Sequence, residues 1–103
     1  MKTQQPFHLA FPVRDLAEAK IFYTEIVGCT LGRSSKEWID FNMFGHQVVA
    51  HLSPEESQRS NVANVDGKKV PVRHFGIVLA WDQWHMFADE LRVKGVEFLI
   101  EPY

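Results

Sequence analysis

Residues 7–18 read FHLAFPVRDLAE, and this stretch joins an apolar segment to the start of a helix. The apolar part, FHLAFPV, follows Pro6 and predicts a strand that begins at Phe7. Asp15 comes next and Glu18 follows three residues later, a spacing that is typical of a capping box. The stretch therefore predicts a strand followed directly by a helix.

The residues that follow complete one β-α-β-β-β unit. Four apolar residues recur at helical spacing, namely Ala19, Phe22, Tyr23 and Ile26. Gly28 then ends the predicted helix, because glycine accepts the left-handed conformation that a helix end often needs. Three predicted strands follow, at residues 30–34, 37–43 and 46–52. Residues 7–52 thus form the first predicted module.

The pattern starts again after a polar segment. Residues 53–72 contain proline, glycine and several charges, and predict a surface loop or linker. Residues 73–80 predict a strand, and Asp82 is predicted to cap a helix that ends at Gly95. Residues 96–100 predict one further strand.

The two halves are an internal repeat. His8 and His74 are 66 residues apart, and each lies near the start of its predicted strand. Gly28 and Gly95, which end the two predicted helices, are 67 residues apart. Because a repeat determines architecture, we predict two modules in one small domain.

Composition excludes several functional classes. The net charge is -2, which argues against a nucleic-acid or anionic-lipid partner. No apolar run approaches the ~20 residues of a membrane helix, and the first six residues lack an apolar signal core. Cys29 is the one cysteine, so no intrachain disulfide can form, and we expect it to be buried. We therefore expect a cytoplasmic protein with neither a nucleic-acid nor a membrane partner.

Two modules that each open with a His-bearing strand resemble the vicinal-oxygen-chelate superfamily of glyoxalases, bleomycin-resistance proteins and extradiol dioxygenases. The first module carries FHLAFPVRDL at 7–16, FY at 22–23 and GC at 28–29. The second carries HFGIVL at 74–79 and LRVKGVEF at 91–98. The resemblance implies an α+β fold in which paired βαβββ modules form a half-barrel around a divalent metal ion. It also implies a homodimer.

The resemblance further implies metal ligands on the first and fourth strands of each module. His8 and His74 occupy the two strand-one positions, and His51 occupies the strand-four position of the first module. Zn, Ni, Fe or Mn would suit such a site. The fourth ligand, usually Glu, would lie beyond Tyr103. Strand alternation places His46 on the opposite face from His51, and we interpret His46 as a turn residue.

Other candidate residues come from strand and helix patterns. Trp38, Asp40 and Asn42 share one face of a predicted strand and are candidates for a substrate pocket. His85, beside Trp84 at a helix start, is expected to be exposed. The sequence identifies no catalytic residue.

The second module has only residues 73–103, so its third and fourth strands are expected to be missing. Three explanations stay open, of which we favour the first: a fragment of a longer protein, natural truncation, or strands supplied by a neighbouring chain. Two missing strands would leave an open sheet edge, which promotes aggregation.

Two functions are compatible with these features. One is a metal-dependent lyase, isomerase or dioxygenase, in which the metal ion grips neighbouring oxygens of a small oxygenated molecule. The alternative is metal-free binding of a small ligand or drug, as in bleomycin-resistance proteins. A third possibility is a fragment that is unfolded or incomplete in function.

Overall fold

The computed structural model describes residues 5–58, 62–65 and 67–102. The chain divides into two compact units, Met1–Arg59 and Ser60–Tyr103. The first unit contains β1 (His8–Val13), α1 (Leu16–Ile21), β2 (Thr30–Ser34), β3 (Trp38–Met43), β4 (His46–Leu52) and α2 (Pro54–Gln58). The second contains β5 (Val62–Val65), β6 (Lys68–Pro71) and α3 (Trp81–Val93). None of these helices has the length and apolarity needed to cross a bilayer.

The first unit is the predicted βαβββ module. Its four strands lie in the order β1-β4-β3-β2, with β1 parallel to β4 and the other pairs antiparallel. The parallel pair requires a crossover between β1 and the rest of the sheet, and α1 provides part of it. The predicted α+β class and the strand boundaries of this module are confirmed to within one residue.

The capping signal at Asp15 is confirmed in part. The Asp15 side chain accepts a hydrogen bond of 2.8 Å from the backbone N–H of Glu18. The Glu18 carboxylate does not complete the capping box, because it accepts two hydrogen bonds of 2.9 Å from the Arg14 guanidinium. Of the two residues in the predicted capping box, only Asp15 therefore caps the helix.

The end of the helix also follows the prediction, with one addition. Beyond α1 the chain widens into a π-helical turn at Phe22–Ile26. The N–H of Cys29 then donates to the carbonyl of Tyr23 over 2.8 Å, while Gly28 has a φ of 93°. This left-handed glycine reverses the chain and leads it into β2.

The core lies between α1 and one face of the sheet. Its most buried side chains are Phe41 on β3, 1% exposed, and Ala50 on β4, 0% exposed. The Tyr23 ring packs on the Phe41 ring with centroids 5.3 Å apart. Cys29 is buried in the same cluster, as expected. The predicted alternation along β3 and β4 is thereby confirmed.

Residues 53–72 differ from the predicted loop. α2 begins with Pro54 and carries Glu55 and Glu56 in its first turn. Proline and acidic residues are both favoured at that position, so the signal was present in the sequence. β5 and β6 then form an antiparallel pair around Gly67, which has a φ of 77°.

The second unit departs from the prediction at three points. Residues 73–80 and 96–100 are not strands, because a strand needs a hydrogen-bonded neighbour and neither segment pairs with another within the described ranges. α3 begins at Trp81, with Ala80 at the cap position, so Asp82 lies in the first turn and does not cap it. Gly95, with a φ of 79°, follows the helix end as predicted.

Because Tyr23 is partly buried, the free energy of unfolding is expected to fall at alkaline pH. Burial, and secondarily the negative charge of the nearby Cys29 when it ionises, raises the pKa of Tyr23 above its usual value of 10.0. The unfolded chain therefore loses this proton first as pH rises, and stability falls above about pH 10. We expect a smaller fall in Tyr23→Phe than in the wild type, measured as urea midpoints between about pH 8 and about pH 11. Equal falls in both proteins would contradict this assignment.

Candidate functional site

Polar side chains of the first unit gather on the face of the sheet opposite α1. We call this the polar face; its members are His8 on β1, Trp38, Asp40 and Asn42 on β3, and Gln47 and His51 on β4. Strand pairing sets their positions, since Gln47 lies directly opposite both His8 and Asn42 in the register. The core residues of β3 and β4 alternate with them, so the same strands serve both faces.

A chain of polar contacts crosses this face. His8 Nδ1 lies 2.8 Å from Gln47 Oε1, and Gln47 Nε2 donates to Asp40 Oδ2 over 3.3 Å. Arg33 Nε lies 3.7 Å from the same Asp40 oxygen, and the guanidinium lies 5.7 Å from the centre of the Trp38 ring. Asp40 is only 7% exposed, and these contacts compensate the cost of burying its carboxylate.

A cleft of about 280 Å³ opens beside this chain of contacts. Asp40, Asn42, Gln47 and Arg33 line it, whereas Trp38 does not. Asn42 also accepts a hydrogen bond of 2.9 Å from the N–H of Gly45, which ties it to the hairpin between β3 and β4. The wall of this small cleft therefore carries two opposite charges side by side, those of Arg33 and Asp40.

The absence of a side chain at Gly32 leaves room for Asp40. A Cβ atom on Gly32 would lie 3.0 Å from the Cβ of Asp40, closer than ordinary contacts allow. Gly32, Arg33 and Gln47 were not identified from the sequence. Arg33 and Gln47 lie on strands that the sequence did predict, but only the pairing of those strands shows what they contact.

The three predicted metal ligands are placed as follows. His8 and His51 both lie on the polar face, but His8 pairs with Gln47 whereas His51 pairs with Pro12. They are thus four positions apart along neighbouring strands, about 13 Å at a rise of about 3.3 Å per residue. His74 belongs to the second unit, where its Nδ1 lies 2.8 Å from the carbonyl oxygen of Pro71.

The hydrogen bond of His74 determines its proton position. A carbonyl oxygen only accepts, so His74 Nδ1 must carry the proton and Nε2 is left to bind a metal. Among the residues described, no three His, Cys, Asp or Glu side chains come close enough together to hold an ion.

The remaining histidines have structural surroundings. His46 is the first residue of β4, immediately after the turn, and its Nδ1 accepts a hydrogen bond of 2.7 Å from the N–H of Phe7. His85 is partly buried, contrary to the expectation of exposure, because Trp81 and Trp84 pack on it at centroid distances of 4.5 and 4.9 Å. Its Nε2 has no hydrogen-bond partner in the described part of the chain.

Comparison with known proteins shows the family of this chain. The family model described as Glyoxalase/Bleomycin resistance protein/Dioxygenase superfamily matches residues 5–103. A protein from Alicyclobacillus acidocaldarius, described as a glyoxalase/bleomycin resistance protein/dioxygenase, is 34% identical, with a TM-score of 0.72. The match covers 93% of this chain and 68% of that one. The chain therefore belongs to the glyoxalase/bleomycin resistance protein/dioxygenase superfamily.

More distant structures share the fold. The genomically encoded fosfomycin resistance protein FosX from Listeria monocytogenes is 15% identical, with a TM-score of 0.64, and the match covers 92% of this chain and 69% of FosX. An integron cassette protein from V. cholerae is 16% identical, with a TM-score of 0.56, covering 100% of this chain and 77% of that one. No curated protein matches the sequence. Proteins of this superfamily typically bind small molecules, often with a divalent metal ion, and form dimers.

Proposed function

We propose that this chain belongs to a metal-dependent enzyme that acts on a small oxygenated molecule, with His8, His51 and His74 as metal ligands. The observation that supports it best is shared by His8 and His74, the histidines related by the internal repeat. Each ring places Nδ1 2.8 Å from an oxygen atom of the protein, and each leaves Nε2 for a ligand. Metal-binding histidines characteristically use their second nitrogen in this way.

The residues of the polar face suit such a centre. Imidazole binds Zn, Ni and Fe well, and a carboxylate ligand would extend the choice to Mn. When bound, the metal ion would act as a Lewis acid toward neighbouring oxygens of the substrate. Arg33 and Asp40 line the adjacent cleft and can orient polar groups of that substrate through charge and hydrogen bonds.

His51 needs a separate test because of its position. The pair Ala10 and Val49 lies between His8 and His51 on the two strands. His51 would hold the same ion as His8 only if the two rings bridged this separation, so its contribution is tested with a variant of its own. A homodimer in the cytoplasm is part of the same proposal, and it accords with the superfamily's habit of dimer formation.

The proposal is tested by metal content. The protein is purified without a His tag, and its metals are measured by mass spectrometry beside a His8→Ala/His74→Ala double variant and a His51→Ala variant. We expect near-stoichiometric divalent metal in the wild type, loss of that metal in the double variant, and a reduced content in His51→Ala. His85→Ala is the matched control and should keep its metal, since aromatic rings surround His85.

A wild-type protein that neither contains metal nor takes it up on dialysis would contradict the proposal. The second candidate, metal-free binding of a small ligand, is favoured by the cleft of about 280 Å³ with Arg33 and Asp40 in its wall. It predicts a higher unfolding temperature with ligand and no change with metal. Wild-type metal content unaffected by the double variant would place the site on other residues.

A further inference from the structure

We infer that Gln47 is a positioning residue that holds the proton of His8 on Nδ1, and that Asp40 sets the direction in which Gln47 acts. The inference concerns the protein without metal, and only its consequence for metal binding depends on the proposed function. It follows from the side chains of His8, Gln47 and Asp40, which lie on three strands that pair in a fixed register.

The first step is at Asp40. An ionised carboxylate has no proton to donate, so its contact of 3.3 Å with Gln47 requires the amide NH₂ group on the Gln47 side. If the amide were turned over, Gln47 Oε1 would instead face Asp40 Oδ2, and the two oxygen atoms would repel each other. Little water is present to screen this repulsion, because Asp40 is only 7% exposed. Asp40 therefore directs Gln47 Oε1 away from itself.

The second step is at His8. With its NH₂ group directed to Asp40, Gln47 presents Oε1 to His8 Nδ1 at 2.8 Å. An amide oxygen only accepts, so Nδ1 must donate. In the neutral ring the lone pair then lies on Nε2, the nitrogen that would bind a metal ion. The same protonation follows for His74 from the Pro71 carbonyl, by an independent contact.

The sheet makes this arrangement rigid. Gln47 pairs directly with His8 across β4 and β1, and Asp40 pairs with Val49, two residues along from Gln47. Such direct and diagonal neighbours lie within reach of each other in a sheet. The His8 ring is therefore oriented before any ligand arrives, which lowers the cost of binding.

The test reads the ring proton directly. Long-range ¹H–¹⁵N correlations of the imidazole are recorded for the metal-free, ¹⁵N-labelled full chain at about pH 8.5, where an ordinary histidine is neutral. We expect His8 to carry its proton on Nδ1 in the wild type. In Gln47→Met the His8 proton should move to Nε2, which gives the tautomer that an unconstrained neutral imidazole prefers.

Two further variants complete the design. Asp40→Asn can accept or donate, so it should release the direction of Gln47 and give a mixture of His8 forms. Gln58→Met, on exposed α2, is the matched control and should leave His8 unchanged. Amide spectra establish that each variant is folded. If metal binds as proposed, Gln47→Met should also lower affinity about 10–100-fold.

A wild-type His8 with its proton on Nε2, or a His8 unaffected by Gln47→Met, would overturn the inference. Its failure is distinguishable from that of the proposed function. The expected proton positions in a protein that takes up no metal support the inference and contradict the function. A protein that binds metal but in which Gln47→Met leaves the His8 proton unchanged supports the function and contradicts the inference.

Discussion

A Phe41→Ala variant is expected to lose about 3–5 kcal/mol of the free energy of unfolding, the usual cost of removing a fully buried phenylalanine ring. Phe41 is 1% exposed, lies in the centre of β3 and contacts the Tyr23 ring, which belongs to the π-helical turn after α1. Its strand neighbours are Leu31 and Val48, so the cavity left behind would be surrounded by rigid sheet. Because the free energy of unfolding of a natural domain is only about 5–15 kcal/mol in total, this single change removes a large share of it.

The measurement is urea unfolding followed through amide NMR signals of β3 and β4, which report on the first unit alone. Phe7→Ala is the matched control, since the Phe7 side chain is 64% exposed and should cost little. If Phe41→Ala were no more destabilising than Phe7→Ala, the packing of α1 on the sheet would be different from that described.

Ala50→Leu is expected to destabilise the first unit by about 1–3 kcal/mol through overpacking. Ala50 is 0% exposed and lies in β4 between its register partners Phe11 and Ile39. A leucine there would project into the packed space between β4 and α1, so it has no room unless α1 shifts. The same NMR-detected unfolding measures the effect.

Ala17→Leu is the control for this second prediction. Ala17 is exposed on α1, where leucine is also a good helix former, so the change should be close to neutral. A neutral Ala50→Leu would mean that α1 leaves room over β4, and the core assignment would need revision.

These two experiments concern the core side of the sheet, whereas metal content and the His8 proton concern the polar face. β3 shows the division most clearly, because Ile39 and Phe41 enter the core while Asp40 lies on the polar face. Substitutions on one face can therefore be assessed with the other as an internal reference.

The local signals in the sequence were sufficient for the first module. The Asp15 cap, the helix end at Gly28 and the alternation along β3 each depend on a few adjacent residues, so each can be identified without knowing the fold. The internal repeat and the quoted motifs also identified the superfamily. In the second half the same reasoning predicted strands at 73–80 and 96–100, and the described residues there form none. A strand depends on a hydrogen-bonded neighbour elsewhere in the chain, and no local pattern specifies that neighbour.

The polar face depends on contacts between distant residues. Nothing in the sequence indicates that Gln47 contacts His8, because 39 residues separate them and only the β1–β4 register brings them together. The same register separates His8 from His51 by four positions, although both occupy expected ligand positions. Residue types and local periodicity thus sufficed for the class of protein and its candidate ligands. Which side chains meet, and which nitrogen of His8 holds the proton, followed from strand pairing, because pairing converts positions along a chain into distances in space.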